Sequence, residues 1–578
     1  MQPIHQDTTP SPKPKIAELG KGKMRIIRQK KEYKVPNLDL LTFLFDSEHS
    51  ASQDATILHA SAYEPSHSIT KAQLRLYSEQ IAHGLRHHYS IGAQGPYKDV
   101  VTVLSSGQPY VPAVLFGVVA AGGVFSAASH SFTPRELARQ IEQGKSGLLI
   151  CSSDLKHVGL RAARLCGLAT ERVVVMGAAP SWSLTSADGQ TAVTTEERLP
   201  FKKVMEKEEL KKSLIMLLWS SGTTGVPKGV MLSHLNLVAE LYIPTAQGRE
   251  WAAPKVAAGE TFPEMRTLAH LPIAHIAGVL GYLTGPVLVG GTVYWLRKFR
   301  WDDFLTYSRK YRVTALYTVP SIYLRIAKAP EVTDHFEFVQ AASTGAALMD
   351  GELQKAANAK LGKGGTVFIG QTWGLSETTG AVTIMPKGET DDTGSISPVM
   401  PGMQIRCVDE DFLDVEPGKP GELVVQGDIV TNGYYNNPKA TQESFRDGWF
   451  CTGDIAVERE GKFYIVGRKK EIFKYKGLQI APAELEGLLD THPLIQEAAV
   501  VGLPKQGEGE LPRAYVVADP AKISEEEIKA FVASRAAPYK QLRGGVVFVK
   551  ELPKNAIGKI LRRELREQAK AETRTAKL

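Results

Sequence analysis

An apolar run at residues 214–219 ends in the block SSGTTGVPKG, residues 220–229. The run has the length and character of a buried strand. Directly after it stand Ser220, Ser221, Gly222, Thr223, Thr224 and Gly225, and Lys228 follows. Glycine lets the backbone turn sharply and approach a ligand with no Cβ in between. Such a turn aims several N–H groups into one concavity, which suits an anion. The hydroxyls add donors and Lys228 adds a positive charge. In physical terms this is a phosphate loop carried on a strand. It is not the Walker form, because G-x-x-x-x-G-K-[ST] is absent. A plain surface loop shares the composition, but the ordered block is far more specific than composition alone.

At 578 residues the chain is too long for one core, so two or more domains are expected. Strand-like runs at 99–104, 147–151 and 172–176 alternate with helical ones. One of these covers 133–143, with Pro134 in its first turn. This alternation implies a parallel sheet with crossover helices. Residues 180–198 read as a polar loop. Residues 111–129 and 276–296 carry no charge and approach the length of a membrane span. Glycines interrupt both, and they contain Pro112 and Pro286. They read as buried pieces of a large α/β core rather than as spans.

Residues 1–34 are polar and basic and read as a disordered segment without the apolar core of a secretory signal. The net charge of +7 is mild, and it forms no nucleic-acid stripe. Cys151, Cys166, Cys407 and Cys451 are scattered without metal-ligand spacing. That pattern fits a reducing compartment and no disulfide framework.

The phosphate-loop block resembles that of the adenylate-forming superfamily: acyl-CoA synthetases, coumarate–CoA ligases, beetle luciferases and the adenylation domains of peptide synthetases. The likeness runs on from about residue 35. LAHLPIAHIAGV at 268–279 resembles the segment between nucleotide and acyl sites, with His275 at its key position. FVQAASTGAAL at 338–348 resembles the strand exit past adenine and acyl group, which assigns Ser343, Thr344, Gly345 and Ala346 to that exit. IGQTWGLSE at 369–377 is close to QGYGxTE. Gln371, Gly374 and Glu377 match, Trp373 replaces Tyr and keeps a flat face for adenine, and Ser376 replaces Thr. Thr372 replaces a glycine that lies beside the acyl group in relatives, so a narrower or reshaped pocket is expected. Glu377 is the implied magnesium ligand.

DGWFCTGD ends at Asp454, implied to hold both ribose hydroxyls through its two oxygens. GRKKEIFKYKGLQIAPAELE at 467–486 resembles the change of domain. The likeness gives Arg468 to the ribose, Lys470 to the hinge, and Lys474 and Gln479 to the carboxylate and adenylate. Lys476 and Gly477 are the adjoining cofactor-side positions. In PKNAIGKILRRELR, at 553–566, Lys559 matches the catalytic lysine of a mobile loop.

The fold so implied is α/β + α+β. A large N-terminal domain at 35–467 combines mixed α/β sheets with a small β subdomain. A hinge follows at 468–470, then a small mobile C-terminal α+β domain at 471–572 and a tail at 573–578. Ser524 and Glu527 form a capping box for one of its helices. The implied activity is ATP- and Mg2+-dependent activation of a carboxylic acid, followed by thioester formation with CoA. The branch is that of coumarate–CoA ligase-like proteins and fungal peroxisomal aryl- or acyl-CoA ligases. Its substrates are aryl-alkanoic, cinnamic-type or medium- to long-chain fatty acids. Two alternatives stand beside it: transfer to a carrier protein instead of CoA, and a catalytically silent binding homologue. Ala576, Lys577 and Leu578 resemble the S-K-L address read by the peroxisomal import receptor. Without that address a cytoplasmic location would be expected.

Overall fold

The computed structural model describes residues 24–220, 227–476, 478–505, 508–554 and 559–575. Ser221, Gly222, Thr223, Thr224, Gly225, Gly477 and the 576–578 tripeptide lie outside the described residues, as does the Gln479 side chain.

The phosphate-loop strand Met216–Ser220 belongs to a seven-stranded sheet. Across it run Leu184–Ser186, Val173–Met176, Leu148–Ser152, Val100–Leu104, Val124–Ala128, Met216–Ser220 and Lys228–Leu232. The inner pairs are parallel and both edge pairs antiparallel. Val100–Leu104, Val124–Ala128 and Leu148–Ser152 are buried along their whole length. Their continuous apolar runs reflect helices on both faces. Crossover helix Pro134–Gly144 starts at a capping box between Thr133 and Glu136 and ends on Lys145 in the left-handed region. The polar stretch 180–198 also supplies the edge strand Leu184–Ser186.

The two uncharged segments fold into this core. One becomes helix Val111–Ala120 and strand Val124–Ala128. The other becomes helical turns from Ile276 to Val289 and strand Gly291–Trp295. No helix among the described residues is long and apolar enough to cross a membrane.

A four-stranded sheet joins Met265–Ala269, Gly291–Trp295, Ile57–Ser61 and Ser68–Thr70. Three parallel strands, Ala315–Thr318, Ala341–Thr344 and Ile369–Gln371, form another. An antiparallel β subdomain follows, built on Gln404–Val408, Pro420–Gln426, Trp449–Arg459 and Lys462–Arg468. Beyond Arg468 the chain forms a further sheet around Ile495–Lys505 and Gly509–Ala518. Helices Pro482–Asp490, Glu525–Ala533 and Arg562–Thr575 accompany it. The capping box at Ser524 and Glu527 is formed.

The reading of residues 1–34 as disordered needs correction for residues 24–34. Arg25 lays both guanidinium ends on the Glu458 carboxylate, 2.5 and 2.6 Å, and its backbone N–H donates to Asp414. Ile27 exchanges both backbone bonds with Ile405, 2.9 and 3.0 Å. The segment is thus an extra strap on the β subdomain, and two of its basic residues, Arg25 and Lys31, serve acidic partners far along the chain, Glu458 and Glu250.

Candidate active site

The phosphate-loop strand delivers its last residue to a carboxylate. Ser220 ends the strand, opposite Lys228 at the start of the next. Ser220 Oγ donates to Glu377 Oε1 at 3.0 Å, and Tyr434 OH donates to the same oxygen at 2.9 Å. Glu377 is buried in a short turn after strand Trp373–Leu375. Its backbone carbonyl accepts from Thr431 N–H, 2.8 Å. Lys228 Nζ sits 4.7 Å from the centre of the Tyr434 ring, within cation–π range. Burial first, then the Glu377 charge, pushes the Tyr434 hydroxyl above its ordinary range, so it stays a donor. Two hydroxyls therefore fix one carboxylate oxygen at the end of the phosphate-loop strand. A hard divalent cation takes such a carboxylate together with phosphate oxygens and water. The residues present fit Mg2+ on that ground.

The second part of the site gathers around Asp454, buried in strand Trp449–Arg459. Its Oδ2 accepts from the Trp373 indole N–H at 2.9 Å, and its Oδ1 pairs with Arg468 Nε at 3.1 Å. Asp454 and Arg468 face each other across the strand pair. Trp373 itself is nearly buried, packed in the core of the β subdomain. Its substitution for tyrosine brings an N–H that reaches the carboxylate.

Lys559 reaches this cluster from the far end of the chain. Burial first, then Arg468, brings its ammonium down to about 8, with Glu471 and Asp454 pulling the other way. Lys559 also acts on His275. Burial and then this ammonium hold the imidazole down to about 4, so it is neutral at pH 7. His275 Nδ1 accepts from Ala277 N–H, 3.2 Å, at the start of a helical turn. That bond leaves the ring proton on Nε2. His275, Asp454, Arg468 and Lys559 thus form one electrostatic unit, although 284 residues separate the first from the last.

The exit of strand Ala341–Thr344 forms the third part. Thr372 Oγ1 donates to the Thr344 carbonyl at 3.0 Å, alongside the Thr372 backbone N–H at 2.8 Å. A Cβ on Gly345 would meet Thr372 Oγ1 at 2.7 Å. Thr372 thus closes the gap against Gly345, and Ala346 turns away with φ of +67°. Thr344 Oγ1 is buried with no hydrogen-bond partner among the described residues. An orphan hydroxyl of this kind calls for a ligand or a water.

Other positions from the motifs have different surroundings. The Gln371 amide is buried and donates to the Met349 carbonyl at 2.9 Å, which braces the strand exit. Gly374 is required by close approach, since a Cβ there would lie 1.7 Å from the Gly380 carbonyl. Ser376 opens the turn that presents Glu377. Lys470 lies in the turn after Arg468, where Lys469 Nζ binds Glu422 at 2.9 Å. Lys474 pairs with Gln479 across a hairpin, and its side chain is exposed. Lys476 pairs with Glu508 at 3.3 Å. The structure therefore brings Lys559 to the site from the C-terminal region and leaves the Lys474 and Lys476 side chains on that region's surface.

Tyr434 is the functional residue that sequence reasoning missed. Residues 433–435 lie along strand Lys228–Leu232, with Met231 N–H donating to Gly433 and Tyr435 N–H to Gly229. The signal was a tyrosine pair in a loop, and only the pairing with the phosphate-loop strand gives it meaning.

Known proteins match this arrangement along its length. The family described as AMP-binding enzyme matches residues 45–435, and the AMP-binding enzyme C-terminal domain matches 484–559. A putative acyl-coenzyme A synthetase of Emericella nidulans is 45% identical over 95% of this chain and 99% of its own. A phenylacetyl-CoA ligase of Aspergillus niger is 32% identical over 92% of this chain and 97% of its own. The structure of ATP-bound MatB from Rhodopseudomonas palustris overlays with a TM-score of 0.77 at 26% identity, over 92% of this chain and 98% of that one.

Proposed function

The chain belongs to the family of AMP-binding enzymes, and from that premise we propose how its residues run the reaction. It is an ATP-dependent carboxylate–CoA ligase that works through an acyl-adenylate, with ATP, Mg2+ and CoA as its cofactor set. In the first step a carboxylate oxygen of the substrate attacks the α-phosphorus of ATP, and the bond to pyrophosphate breaks. In the second, the CoA sulfur attacks the acyl carbon, AMP leaves, and the thiol proton passes to solvent.

Such phosphoryl transfer is mainly positioning and charge stabilisation. Glu377 would hold Mg2+, whose charge offsets that of the phosphates. Ser220 and Tyr434 fix the Glu377 carboxylate, while Lys228 and the loop it closes receive phosphate oxygens. Asp454 takes the ribose hydroxyls through its two oxygens, with Arg468 and Trp373 holding it in place. Lys559 places its ammonium on charge that develops between carboxylate and α-phosphorus, a contact of most use in the transition state. His275, neutral, directs Nε2–H without adding a second positive charge beside Lys559. The observation that carries this reading is the pair of braced carboxylates, Glu377 held by Ser220 and Tyr434 and Asp454 held by Trp373 and Arg468.

The substrate is proposed to be an aryl-alkanoic or medium- to long-chain fatty acid. Two things support this: the relative described as a phenylacetyl-CoA ligase, and the Thr372 side chain closed against Gly345, which leaves less room for the rigid plane of a cinnamate. Lys474 and Gln479 are proposed to meet the adenylate only after the C-terminal domain turns about the hinge, consistent with the exposed Lys474 side chain. Ala576, Lys577 and Leu578 are proposed as a peroxisomal address, tested by the location of fluorescent fusions with and without the tripeptide.

The deciding experiment is pyrophosphate release with Mg-ATP across phenylacetate, cinnamates, benzoates and fatty acids, with and without CoA. Release with one class, together with its CoA thioester, is the expected result. Release with no thioester would move the acceptor to a carrier protein. No release with any acid would overturn the reading.

A further inference from the structure

Lys559 can serve the first step only while the C-terminal domain is docked on the large domain. A second lysine, on the opposite side of that junction, makes direct contact across it. Lys328 is the last residue of helix Pro320–Lys328. Its Nζ donates to the backbone carbonyl of Asp490 at 3.1 Å and to that of Ile495 at 2.6 Å. Asp490 ends helix Pro482–Asp490 and Ile495 begins strand Ile495–Lys505. The ammonium therefore caps the C-terminal end of a helix, where carbonyls lack intrahelical partners and the helix dipole favours a cation. Burial lowers the Lys328 ammonium below its ordinary range, with Asp490 from the small domain and Asp350 from the large one pulling the other way. Asp490 Oδ1 is buried without a hydrogen-bond partner among the described residues. Burial, then Glu486, holds the Asp490 carboxyl up to about 8, with the Lys328 ammonium pulling the other way.

Both ends of this contact are tied to the site. At one end, helix Pro320–Lys328 is locked to the site wall by Tyr323, whose hydroxyl donates to Leu316 O at 2.9 Å and Ser343 O at 3.3 Å. Those carbonyls belong to strands Ala315–Thr318 and Ala341–Thr344. At the other end, helix Pro482–Asp490 carries Glu486, which binds the Arg562 guanidinium through both carboxylate oxygens. Arg562 also binds Glu471 at 3.1 Å and stands three residues after Lys559. A chain of hydrogen bonds and ion pairs thus runs from the wall of the acyl and adenine exit through Lys328, helix Pro482–Asp490 and Glu486 to Arg562, on the segment that carries Lys559.

We propose that Lys328 is a positioning residue for adenylate formation: by capping helix Pro482–Asp490 it docks the C-terminal domain so that Lys559 stands in the site. This rests on the ligase reading given above. The Lys328 ammonium is committed to the Asp490 and Ile495 carbonyls, so its effect falls on the step that needs the docked arrangement.

The test compares Lys328→Met, which keeps the stem without the charge, with Lys328→Arg, which keeps both charge and donors. Three readings are taken: pyrophosphate formation in a single turnover, thioester formation from supplied acyl-adenylate and CoA, and hydrogen exchange of residues 482–490 in the substrate-free protein. Losing two charge-assisted bonds should lower the first rate about five- to tenfold in the Met variant. Thioester formation should stay within about twofold, helix exchange should rise, and Arg should restore all three readings. Unchanged exchange and adenylation in the Met variant would overturn the proposal, as would an equal fall of both half-reactions. If wild-type protein released no pyrophosphate with any acid, the ligase reading would fail. The exchange measurement would still decide whether Lys328 docks the domain.

Discussion

On the proposed mechanism, Lys559 sets the pH behaviour of the first step. Its folded value is lowered to about 8, by burial and then Arg468, and its protonated form is the useful one. The cation is complete well below pH 8 and is lost as pH rises through that value. In free enzyme this appears in kcat/KM, so kcat/KM for ATP should fall about tenfold per unit above roughly pH 8. Bound phosphates favour the cation, so the limb in kcat should lie higher. A flat kcat/KM profile to pH 9.5 would remove Lys559 from this role. Thr372 makes a different prediction. Thr372→Gly removes the side chain that closes on Gly345 and should raise kcat/KM for cinnamates relative to phenylacetate several-fold, as a single pocket group is worth about 1–3 kcal/mol. An unchanged ratio would mean that the acyl group lies elsewhere. The sequence singled out Glu377, Asp454 and Lys559 because each sits in a motif of fixed spacing. It did not show that Trp373 donates to Asp454 or that Tyr434 holds Glu377, since both are contacts between segments distant in the chain.

Among the elements, regular strands and helices were the most readable. Buried strands such as Leu148–Ser152 declare themselves by unbroken apolar runs, and helix Pro134–Gly144 by its cap and proline. Residues 24–34 show the opposite case. Their composition is that of a solvated basic tail, and nothing local reveals that Arg25 meets Glu458, 433 residues away. The pair is nearly buried, with side-chain exposures of 9% and 6%. Removing one partner of such a pair leaves an uncompensated charge, which costs about 3–5 kcal/mol. Arg25→Met should therefore lower stability by about 3 kcal/mol in denaturant melts while sparing adenylation at temperatures where the variant is folded. An unchanged midpoint would show that the strap contributes little.

At the scale of the whole molecule, the proposed mechanism divides the labour of one reaction between two bodies, with Glu377, Asp454 and His275 on the large domain and Lys559 on the small one. An arrangement of this kind makes the two lysines at the junction dependent on each other, and that dependence is measurable. If Lys328 acts by delivering Lys559, its removal should matter only while Lys559 is present. In the wild-type background Lys328→Met slows adenylation; in the Lys559→Ala background, where adenylation is already severely reduced, it should add nothing beyond about twofold. The double variant is then less impaired than the product of the single losses, which is the signature of residues acting on one step through one contact network. Thioester formation from supplied adenylate should survive in all three variants. Fully multiplicative losses in the double variant would mean that Lys328 supports the reaction by a route that does not pass through Lys559. The cap on helix Pro482–Asp490 would then be a matter of stability alone.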